Sequence, residues 1–266
     1  MQLRDKKVLL TGATGGIGRL IARLLAEQGA QLLLAGRDLS ALQQQAAELA
    51  DGGARVVAVE LDLGAEGLLE QARTVLAKHQ DIDVLINAAG VNGFAACDQV
   101  SSAQLASILD INLKGTLLLT TALLPQLRRR PEAAIVNIGS IFGSIGYPGF
   151  SAYCASKFGV RGYTEALRRE LAHTPVRVFY VAPRATRTSM NGPAVNAMNQ
   201  ALGVAMDEPE WVAQQIVKAM QHNRLKLFLG WPEKLFVVVN GVFSKLVDQA
   251  LIKQLPTIQR YLNKET

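Results

Sequence analysis

Short apolar runs alternate with longer helical segments along most of this chain of 266 residues. Parallel strands covered on both faces are apolar throughout, so this alternation is typical of strand–helix–strand units. It predicts an α/β fold with a doubly wound, mostly parallel sheet in a three-layer α/β/α arrangement. The predicted strands are Lys7–Leu10, Gln31–Ala35, Arg55–Glu60, Val84–Asn87, Ala134–Ile138, Val176–Val181 and Lys226–Leu229. The predicted helices are Gly18–Gln28, Ser40–Ala50, Leu68–Lys78, Ser102–Leu127 and Ala155–Leu171.

Length and composition favour one globular domain, residues 1–232, with an amphipathic helical extension over 233–266 that is not an independent domain. Hydrophobic residues at 49% and charged residues at 19% exclude a disordered or collagen-like chain. Only two cysteines, Cys97 and Cys154, make a disulfide framework unexpected and fit a reducing compartment. No signal peptide precedes the first strand, and no apolar run approaches the roughly 18–20 residues of a membrane span. A cytoplasmic location is therefore expected.

A glycine-rich segment, Thr11-Gly-Ala-Thr-Gly-Gly-Ile-Gly18, joins the first predicted strand to the first predicted helix. Glycines permit a tight turn and a close approach to a pyrophosphate, and the helix start adds free N–H groups and a positive dipole end. The spacing, through Gly12, Gly16 and Gly18, differs from the G-x-G-x-x-G dinucleotide fingerprint. A glycine turn without a ligand has the same composition, but its position favours a dinucleotide phosphate site.

The second predicted strand ends in Leu34-Ala35-Gly36-Arg37. A carboxylate at this strand end is typical of sites for an unphosphorylated ribose, whereas an arginine suits a 2′-phosphate. Asp38 follows the arginine, where it could equally cap the next helix. This pattern predicts NADP(H) over NAD(H), the alternative being that Arg37 is only a solvated surface charge.

Tyr153 and Lys157 are four residues apart at the start of a predicted helix, so their side chains share one face. A phenol with an ordinary pKa near 10 is a poor acid–base group at neutral pH, and a nearby cation would lower that pKa. Ser140 follows the strand that begins at Ile135, at the carboxyl edge where open α/β sheets bind ligands. Its hydroxyl could hydrogen-bond a substrate carbonyl.

Five features occur together and in order: Thr11–Gly18, Asn87-Ala-Ala-Gly90, Asn112 in Ile-Asn-Leu-Lys-Gly, Ser140, and Tyr153 with Lys157. In this combination the chain resembles the short-chain dehydrogenase/reductase family, in its compact single-domain branch, from about Lys7 to Gly230. The resemblance implies a Rossmann-like fold and an enzyme that uses a nicotinamide cofactor.

The resemblance also implies roles for the matched positions. Tyr153 is expected to donate or accept the proton, and Ser140 to orient the carbonyl or alcohol. Lys157 is expected to lower the tyrosine pKa and hold the nicotinamide ribose, while Asn112 holds a water in a proton relay that reaches Lys157. The expected cofactor contacts are Gly12, Thr14, Gly16, Ile17 and Gly18 at the phosphates, Arg37 at the 2′-phosphate, Asp62 at the adenine, Asn87, Ala88 and Gly90 on the ribose side, and Tyr153, Lys157, Pro183, Thr186 and Thr188.

Two positions depart from the family's pattern. Ala88 replaces the asparagine that often follows Asn87, a tolerated change. Arg184 replaces the glycine usual after Pro183 and puts a large cation beside the expected nicotinamide pocket. It either meets an acidic group of the substrate or turns to solvent, and solvent is the slightly favoured expectation.

The segment Thr186–Glu208, rich in Met, Asn, Ala and Gly, is expected to be a flexible lid over a mostly apolar pocket. After Pro232, an apolar run leads into a helical pattern whose predicted single apolar face comprises Phe243, Leu246, Val247, Ala250, Leu251 and Leu255. That face could lie on an anionic membrane surface, dock on a partner subunit or pack over the chain's own pocket. Subunit contact or self-packing is the commoner outcome, so a homo-oligomer is expected.

The net charge of +6 does not point to nucleic acid. From His222 onward seven basic residues stand against three acidic ones, so most of the excess lies in the last 45 residues. The run Arg128–Arg130 fits a helix C-terminus, because cations there oppose the helix dipole, and an extended basic face with aromatics is not evident. The three histidines lie far apart and outside the motifs, so no metal site is predicted.

Together these features predict a cytoplasmic NADP(H)-dependent oxidoreductase that passes a hydride between nicotinamide and a carbonyl or secondary alcohol of apolar character. The alternative is a catalytically silent NADP(H)-sensing or scaffold protein on the same fold. The complete set Asn112, Ser140, Tyr153 and Lys157 favours the enzyme, because a sensor need not retain proton-transfer chemistry.

Overall fold

The computed structural model describes residues 1–262; the last four residues of the predicted extension, 263–266, lie outside the described part. The described residues form a seven-stranded, fully parallel sheet in the order β3-β2-β1-β4-β5-β6-β7. The strands are β1 (Lys7–Thr11), β2 (Gln31–Gly36), β3 (Val56–Glu60), β4 (Val84–Asn87), β5 (Ala133–Ile138), β6 (Val176–Ala182) and β7 (Lys226–Phe228). Each lies within a residue or so of its predicted bounds, which confirms the predicted fold class.

Ten α-helices connect and follow these strands in the described chain. They are α1 (Gly16–Glu27), α2 (Leu39–Asp51), α3 (Leu68–Lys78), α4 (Ser102–Leu109), α5 (Gly115–Leu127), α6 (Ser151–Glu170), α7 (Pro193–Ala201), α8 (Pro209–Gln221), α9 (Glu233–Val242) and α10 (Ser244–Leu262). Two predicted helices start earlier than expected, α1 at Gly16 and α6 at Ser151. Tyr153 therefore lies in the first turn of α6.

Both faces of the sheet are buried, which explains why the central strands are apolar without alternation. Val8 and Leu10 of β1 face a core that includes Ile21 of α1 and Ile216 of α8. Leu9 points to the opposite core, which Leu119 of α5 helps to fill. Alternate side chains of one strand thus serve two helical layers, as the three-layer prediction requires.

The predicted helix Ser102–Leu127 is interrupted by a π-helical turn over Asp110–Lys114. By length and composition this stretch resembles a membrane span, with a mean hydropathy of 1.3 over an 18-residue window. Leu119 and Leu123 are fully buried against the sheet, whereas Leu105 is exposed. The core of the domain therefore accounts for part of its hydrophobicity.

The strand order reverses between β1 and β4. From β1 the chain adds β2 and β3 on one side of the sheet, and β4 to β7 are then added on the other side. In a parallel sheet the carboxyl ends of all strands lie at one edge, and the reversal opens a crevice there because the adjoining connections run to opposite faces. The residues after β1, β2, β4, β5 and β6 meet at this edge.

The extension folds as α9 and α10, which pack on each other and on the rest of the domain. The apolar face predicted for the extension is divided in the structure. Val247 and Ile258 of α10 are buried, and Leu251 and Leu255 are half-buried. Phe243, Leu246 and Ala250 of the predicted face are exposed. Self-packing therefore uses part of the predicted face, and the remainder points outward.

Candidate active site

The glycine-rich segment forms a tight turn between β1 and α1 at the sheet crevice. Gly12 has a φ of +66°, and a Cβ at this position would lie 2.7 Å from the backbone of Ala89. Gly15 is the N-cap of α1, so the cap contributes only backbone and no capping side chain. The amides of Gly16 and Ile17 in the first helical turn thus remain available to an anion.

Arg37 follows β2 at the wall of the same crevice. Within residues 1–262 its guanidinium has no ion-pair partner, and it is exposed. The neighbouring Asp38 caps α2, because its Oδ1 accepts a hydrogen bond from Ala41 N at 2.9 Å. The nearest carboxylate in sequence is therefore engaged with backbone. Asp62, after β3, also lies on the wall of the crevice.

The Asn87 side chain does not line the crevice, and its expected contact with the cofactor stays a prediction. Its side-chain Nδ2 donates to Asn137 Oδ1 at 2.8 Å and to Thr120 Oγ1 at 3.2 Å, beneath the sheet edge. The amide is 4% exposed, so these buried partners, and not a ligand, satisfy its N–H groups. Ala88 and Gly90, the next expected contacts, do line the crevice.

Ser140 lies two residues after β5 and faces the same crevice. Its Oγ accepts a hydrogen bond from Phe142 N at 3.1 Å. A hydroxyl that accepts one bond still has its own hydrogen to donate. The Tyr180 hydroxyl donates to the Ser140 carbonyl at 3.3 Å and helps to fix the backbone. Ser140 is thus held with its hydroxyl facing the crevice beside Tyr153.

Lys157 is almost fully buried beneath Tyr153, one helical turn along α6. Its Nζ donates to the carbonyl of Ile138 at 3.1 Å and lies 5.7 Å from the centre of the Tyr153 ring. A Cβ added to Gly90 would lie 3.5 Å from this Nζ. The ammonium therefore lies where the turn after β4 meets the start of α6.

Burial, and not the neighbouring cation, dominates the acid–base properties of this pair. Desolvation raises the pKa of Tyr153 to about 12, and a hydrogen bond with the Ser140 side chain acts in the opposite direction. Desolvation also lowers the pKa of Lys157 to about 8. In the protein without a cofactor, burial outweighs the expected effect of Lys157, and the expected lowering of the tyrosine pKa stays a prediction. A dry site disfavours both the phenolate and the ammonium.

Asn112 lies within the π-helical turn and is buried behind the crevice wall. Its Oδ1 accepts from Val91 N at 2.7 Å, and its Nδ2 donates to Val91 O at 2.9 Å and to Ser156 Oγ at 3.0 Å. These bonds tie the segment after β4 to α6. A π-helical turn is often found at functional sites, and here it places Asn112 between the two segments that carry Gly90 and Lys157.

Arg184 does not turn to solvent, so that expectation is wrong. Its guanidinium donates to Asp207 Oδ1 at 2.7 Å, to Glu233 Oε2 at 3.0 Å and to the Trp231 carbonyl at 2.7 Å. Hydrogen bonding with Asp207 raises the pKa of Arg184. Gly230, at a φ of +89°, lies directly against its side chain, where a Cβ would collide.

The segment after β6 covers the glycine turn. Pro183, Thr186 and Thr188 all line the crevice, as expected. A Cβ added to Gly16 would lie 2.9 Å from Thr188 Cγ2, so the start of the predicted lid packs directly on the turn. The predicted lid itself contains α7, whose Val195 and Met198 are buried.

An aromatic cluster beside Tyr153 was not predicted. Phe142 and Tyr147 stack with ring centres 4.8 Å apart, and Phe150 lies 4.9 Å from Phe94. The density of aromatic residues between positions 142 and 153 was the available sequence signal. Cys154 is buried, and burial raises its thiol pKa, which agrees with a small packed side chain and not a nucleophile.

One continuous cavity of about 920 Å³ joins these parts. The glycine turn, Arg37 and Asp62 line one end, Ser140, Tyr153 and Lys157 line the middle, and α7, α9 and α10 line the other end. All expected site positions except Asn87 and Asn112 are on its wall. In residues 1–262, no group of three or more His, Cys, Asp and Glu side chains could hold a metal ion.

A family model described as short chain dehydrogenase matches residues 6–199. The chain is 34% identical to dehydrogenase/reductase SDR family member 7B of Bos taurus over 95% of this chain and 83% of that protein. A short-chain dehydrogenase from Sphingobium yanoikuyae, solved with NADPH, has a TM-score of 0.77 and 29% identity and covers 93% of this chain and 95% of its own. A Burkholderia phymatum structure with NAD, at 23% identity over 92% of this chain and 96% of its own, has a TM-score of 0.82. The chain belongs to the short-chain dehydrogenase/reductase family.

Proposed function

We propose that this protein is an NADP(H)-dependent oxidoreductase that interconverts a carbonyl and a secondary alcohol on an apolar substrate. The observation that carries the proposal is the single cavity, because it joins the glycine turn to Tyr153, Ser140 and Lys157. A dinucleotide held at the turn and a carbonyl held at Ser140 would occupy neighbouring parts of one space.

The residues at the turn fit a dinucleotide. A Cβ at Gly12 would lie 2.7 Å from the backbone of Ala89, so only glycine permits this close approach. The exposed N-terminus of α1 suits a pyrophosphate. Gly12, Thr14, Gly16, Ile17 and Gly18 would hold the phosphates, with Asp62, Ala88, Gly90, Pro183, Thr186 and Thr188 on the remaining walls. When bound, the cofactor supplies or accepts the hydride.

Arg37 supports a preference for NADP(H). It lines the cavity at the end of β2, and its guanidinium is free of carboxylate partners in the described chain. A 2′-phosphate would give it a charge-assisted hydrogen bond, whereas an unphosphorylated ribose would not. Asp38, the nearest carboxylate in sequence, has one of its two oxygens engaged as the cap of α2.

Side chains of α6 and of the segment after β5 would orient the substrate and supply its proton. In the reductive direction Ser140 donates a hydrogen bond to the carbonyl oxygen, and the Tyr153 hydroxyl gives its proton to that oxygen as the carbon gains the hydride. With its pKa raised to about 12, the phenol stays protonated across the physiological range. The Tyr153 hydroxyl therefore holds the proton that reduction consumes at any physiological pH.

Lys157 and Asn112 support this transfer. Lys157 would hold the nicotinamide ribose and stabilise the phenolate that remains on Tyr153, since a cation favours the charged form of a nearby acid. Asn112 is proposed as a positioning residue for the water relay that reaches Lys157, because it fixes Val91, the neighbour of Gly90, and a Cβ at Gly90 would lie 3.5 Å from the Lys157 Nζ. Its side-chain N–H groups are already donated to protein acceptors.

The far end of the cavity supports an apolar substrate. It is lined by aromatic and aliphatic side chains from several elements, namely Phe142, Tyr147, Phe150, Val195, Met198, Val239, Val247 and Leu251. Arg184 adds no charge available to the substrate, because Asp207 and Glu233 already pair with it. Neutral ketones or aldehydes with an apolar body fit these walls better than acidic ones.

A panel of carbonyl compounds with NADPH tests the proposal against the sensor or scaffold alternative. Turnover by the wild-type protein, lost in Tyr153→Phe while NADPH still binds, supports the enzyme. Tight NADPH binding without turnover on any member of a broad panel supports the sensor.

We also expect a homo-oligomer in the cytoplasm, and the exposed Leu105 of α4 and Phe158 of α6 are candidate contacts. Light scattering of Leu105→Glu with Phe158→Glu tests that expectation.

A further inference from the structure

A stripe of large apolar side chains runs along the outer side of the C-terminal helices. It comprises Trp231, Leu235, Val238, Val242, Phe243 and Leu246, and we refer to it as the outer stripe. Each of these side chains is between 45% and 69% exposed. Single exposed apolar residues are ordinary, but six within sixteen positions are a local concentration of the kind that marks an interaction surface.

Helical spacing places three of these residues on one side of α9. Leu235, Val238 and Val242 are three and four positions apart, which puts them on one helix face. Trp231 lies just before the helix, and Phe243 and Leu246 follow it. Val237, on the opposite face, is buried with Ile141 and Ile145 of the domain. The helix is therefore apolar on both its packed and its outer side, and only the packed side has a partner.

Lysines flank the outer stripe. Lys234 lies over the Trp231 ring, with Nζ 4.7 Å from the ring centre, and Lys245 stands between Phe243 and Leu246. Lys253 follows on the exposed part of α10. Among residues 1–262 these three ammonium groups have no carboxylate partner, so their charge is available to an outside anion.

The charged groups of the two helices favour an anionic partner. Residues 233–262 contain the basic side chains Lys234, Lys245, Lys253 and Arg260 and the acidic side chains Glu233 and Asp248. Glu233 is neutralised by Arg184, at 3.0 Å. Asp248 is thus the one acid of this segment, as far as the chain is described, that opposes the four cations.

We propose that the outer stripe lies on an anionic lipid membrane surface. Apolar side chains with a tryptophan and flanking lysines are the composition of helices that rest in the membrane interface, where the rings enter the headgroup region and the lysines meet lipid phosphates. Lysines reach past apolar neighbours with their aliphatic stems, so they need not keep the stripe away from the lipid.

A second copy of the chain is the main alternative occupant, and charge disfavours it. A two-fold contact would bring each patch against its own copy, so Lys234, Lys245 and Lys253 would face the same lysines with one unpaired acid, Asp248, in the segment to offset them. A phosphate-bearing surface removes this repulsion and converts it into attraction.

The stripe shares a residue with the cavity wall. Leu246 belongs to the stripe, is 59% exposed and also lines the cavity, and Phe236 of α9, which is 45% exposed, lines the cavity as well. Membrane docking would therefore bring the cavity against lipid, from which an apolar carbonyl compound could enter. This consequence rests on the proposed function, whereas membrane binding does not.

Flotation of the full-length protein with vesicles tests the proposal without any measurement of turnover. Vesicles of phosphatidylcholine alone are compared with mixtures of phosphatidylcholine and phosphatidylglycerol. Wild-type protein is expected to float with the phosphatidylglycerol mixtures and to remain below with phosphatidylcholine alone or in high salt, since salt screens the lysines. Protein that stays below with both kinds of vesicle overturns the proposal.

Matched variants locate the binding surface. Val238→Glu with Val242→Glu places two acids in the stripe and should abolish flotation, while Val57→Glu changes a similarly exposed valine on β3 and should not. Lys234→Gln with Lys245→Gln should weaken binding about 30-fold, at roughly 1 kcal/mol per lysine near an anionic surface, and Lys218→Gln on α8 should leave it unchanged. Equal effects of stripe and control variants would contradict the assignment.

Light scattering in the absence of lipid distinguishes membrane binding from a contact between two copies of the chain. If wild-type protein forms an oligomer that Val238→Glu with Val242→Glu dissociates, and does not float, the stripe is a subunit contact and the proposal is wrong. If the stripe variant retains the wild-type oligomeric state and loses flotation, the membrane surface is the partner. Loss of turnover in either case leaves these readouts unaffected.

Discussion

Arg184 and Asp207 form an ion pair with a nitrogen–oxygen distance of 2.7 Å, with side chains that are 14% and 10% exposed. The pair joins the residue after β6 to the end of the lid segment, 23 positions later in the chain. Glu233 adds a second carboxylate from the start of α9. The Arg184 guanidinium thus joins three segments: the residues after β6, the end of the predicted lid and the start of α9.

Arg184→Ala is expected to destabilise the protein by about 3 kcal/mol, because it leaves buried Asp207 without its cation. Thermal unfolding at neutral pH measures the effect. The control is Arg187→Ala, whose pair with Glu208 joins two side chains that are more than half exposed, and which should change stability little. Equal losses in the two variants would show that burial of the Arg184 pair is unimportant.

Tyr153→Phe is expected to lower carbonyl reduction by about 10²–10⁴-fold, because the ring keeps its packing but loses the transferable proton. The measurement is NADPH oxidation with a substrate that the wild-type protein reduces. Tyr147→Phe is the matched control, since Tyr147 lines the same cavity and its hydroxyl bonds to Gln254 at 3.4 Å. A loss of comparable size in the control would argue against a special role for Tyr153.

Arg37→Ser is expected to lower kcat/KM for NADPH by about 10- to 100-fold, the value of a hydrogen bond to a charged group, and to leave kcat/KM for NADH nearly unchanged. Steady-state kinetics with both cofactors measures the ratio. Arg19→Ser, on the exposed side of α1, removes a nearby positive charge that does not line the cavity. The cofactor preference should survive in that control.

Lys157 is expected to make stability depend on pH. Its pKa is lowered to about 8 in the folded protein from an ordinary 10.5, so between these values the unfolded chain binds the proton that the folded chain has released. The free energy of unfolding should therefore rise with pH in this window, by up to about 1.4 kcal/mol per pH unit.

Chemical denaturation of wild-type protein and Lys157→Met between pH 7.5 and 10.5 measures this contribution as a difference between the two proteins. The free energy of unfolding of the variant should not rise over this pH range. At the lowest pH the variant should be more stable than the wild-type protein, because it buries no ammonium. It should also lose turnover. Parallel curves for the two proteins would show that the Lys157 pKa is not lowered in the folded state.

Most of the fold could be predicted because its determinants are local. The strands are apolar runs between turn residues, and the turn at Gly12 needs a φ that few residues other than glycine adopt. The positions of Ser140 and Tyr153 followed from the edge of the sheet and the spacing on a helix. These elements come together because the parallel order of the strands brings all their carboxyl ends to one side.

The features that the sequence did not reveal concern side chains whose partners are distant in sequence. Asn87 is turned from the cavity by Thr120 and Asn137, 33 and 50 positions away. Arg184 is held by carboxylates 23 and 49 positions away. The pKa values of Tyr153 and Lys157 depend on how completely the folded chain excludes water, which a four-residue spacing does not reveal.

The cavity walls come from different parts of the chain. The turn after β1, Ser140, Tyr153 and Lys157 all precede residue 158, whereas the walls opposite them come largely from α7, α9 and α10. Apart from the aromatic residues at 142, 147 and 150, much of the proposed substrate wall therefore lies after the residues proposed for proton transfer. An exchange of residues 233–262 for those of a relative would replace one wall of the cavity while the residues proposed for proton transfer stay in place, which is a route to hybrid proteins with altered cavities.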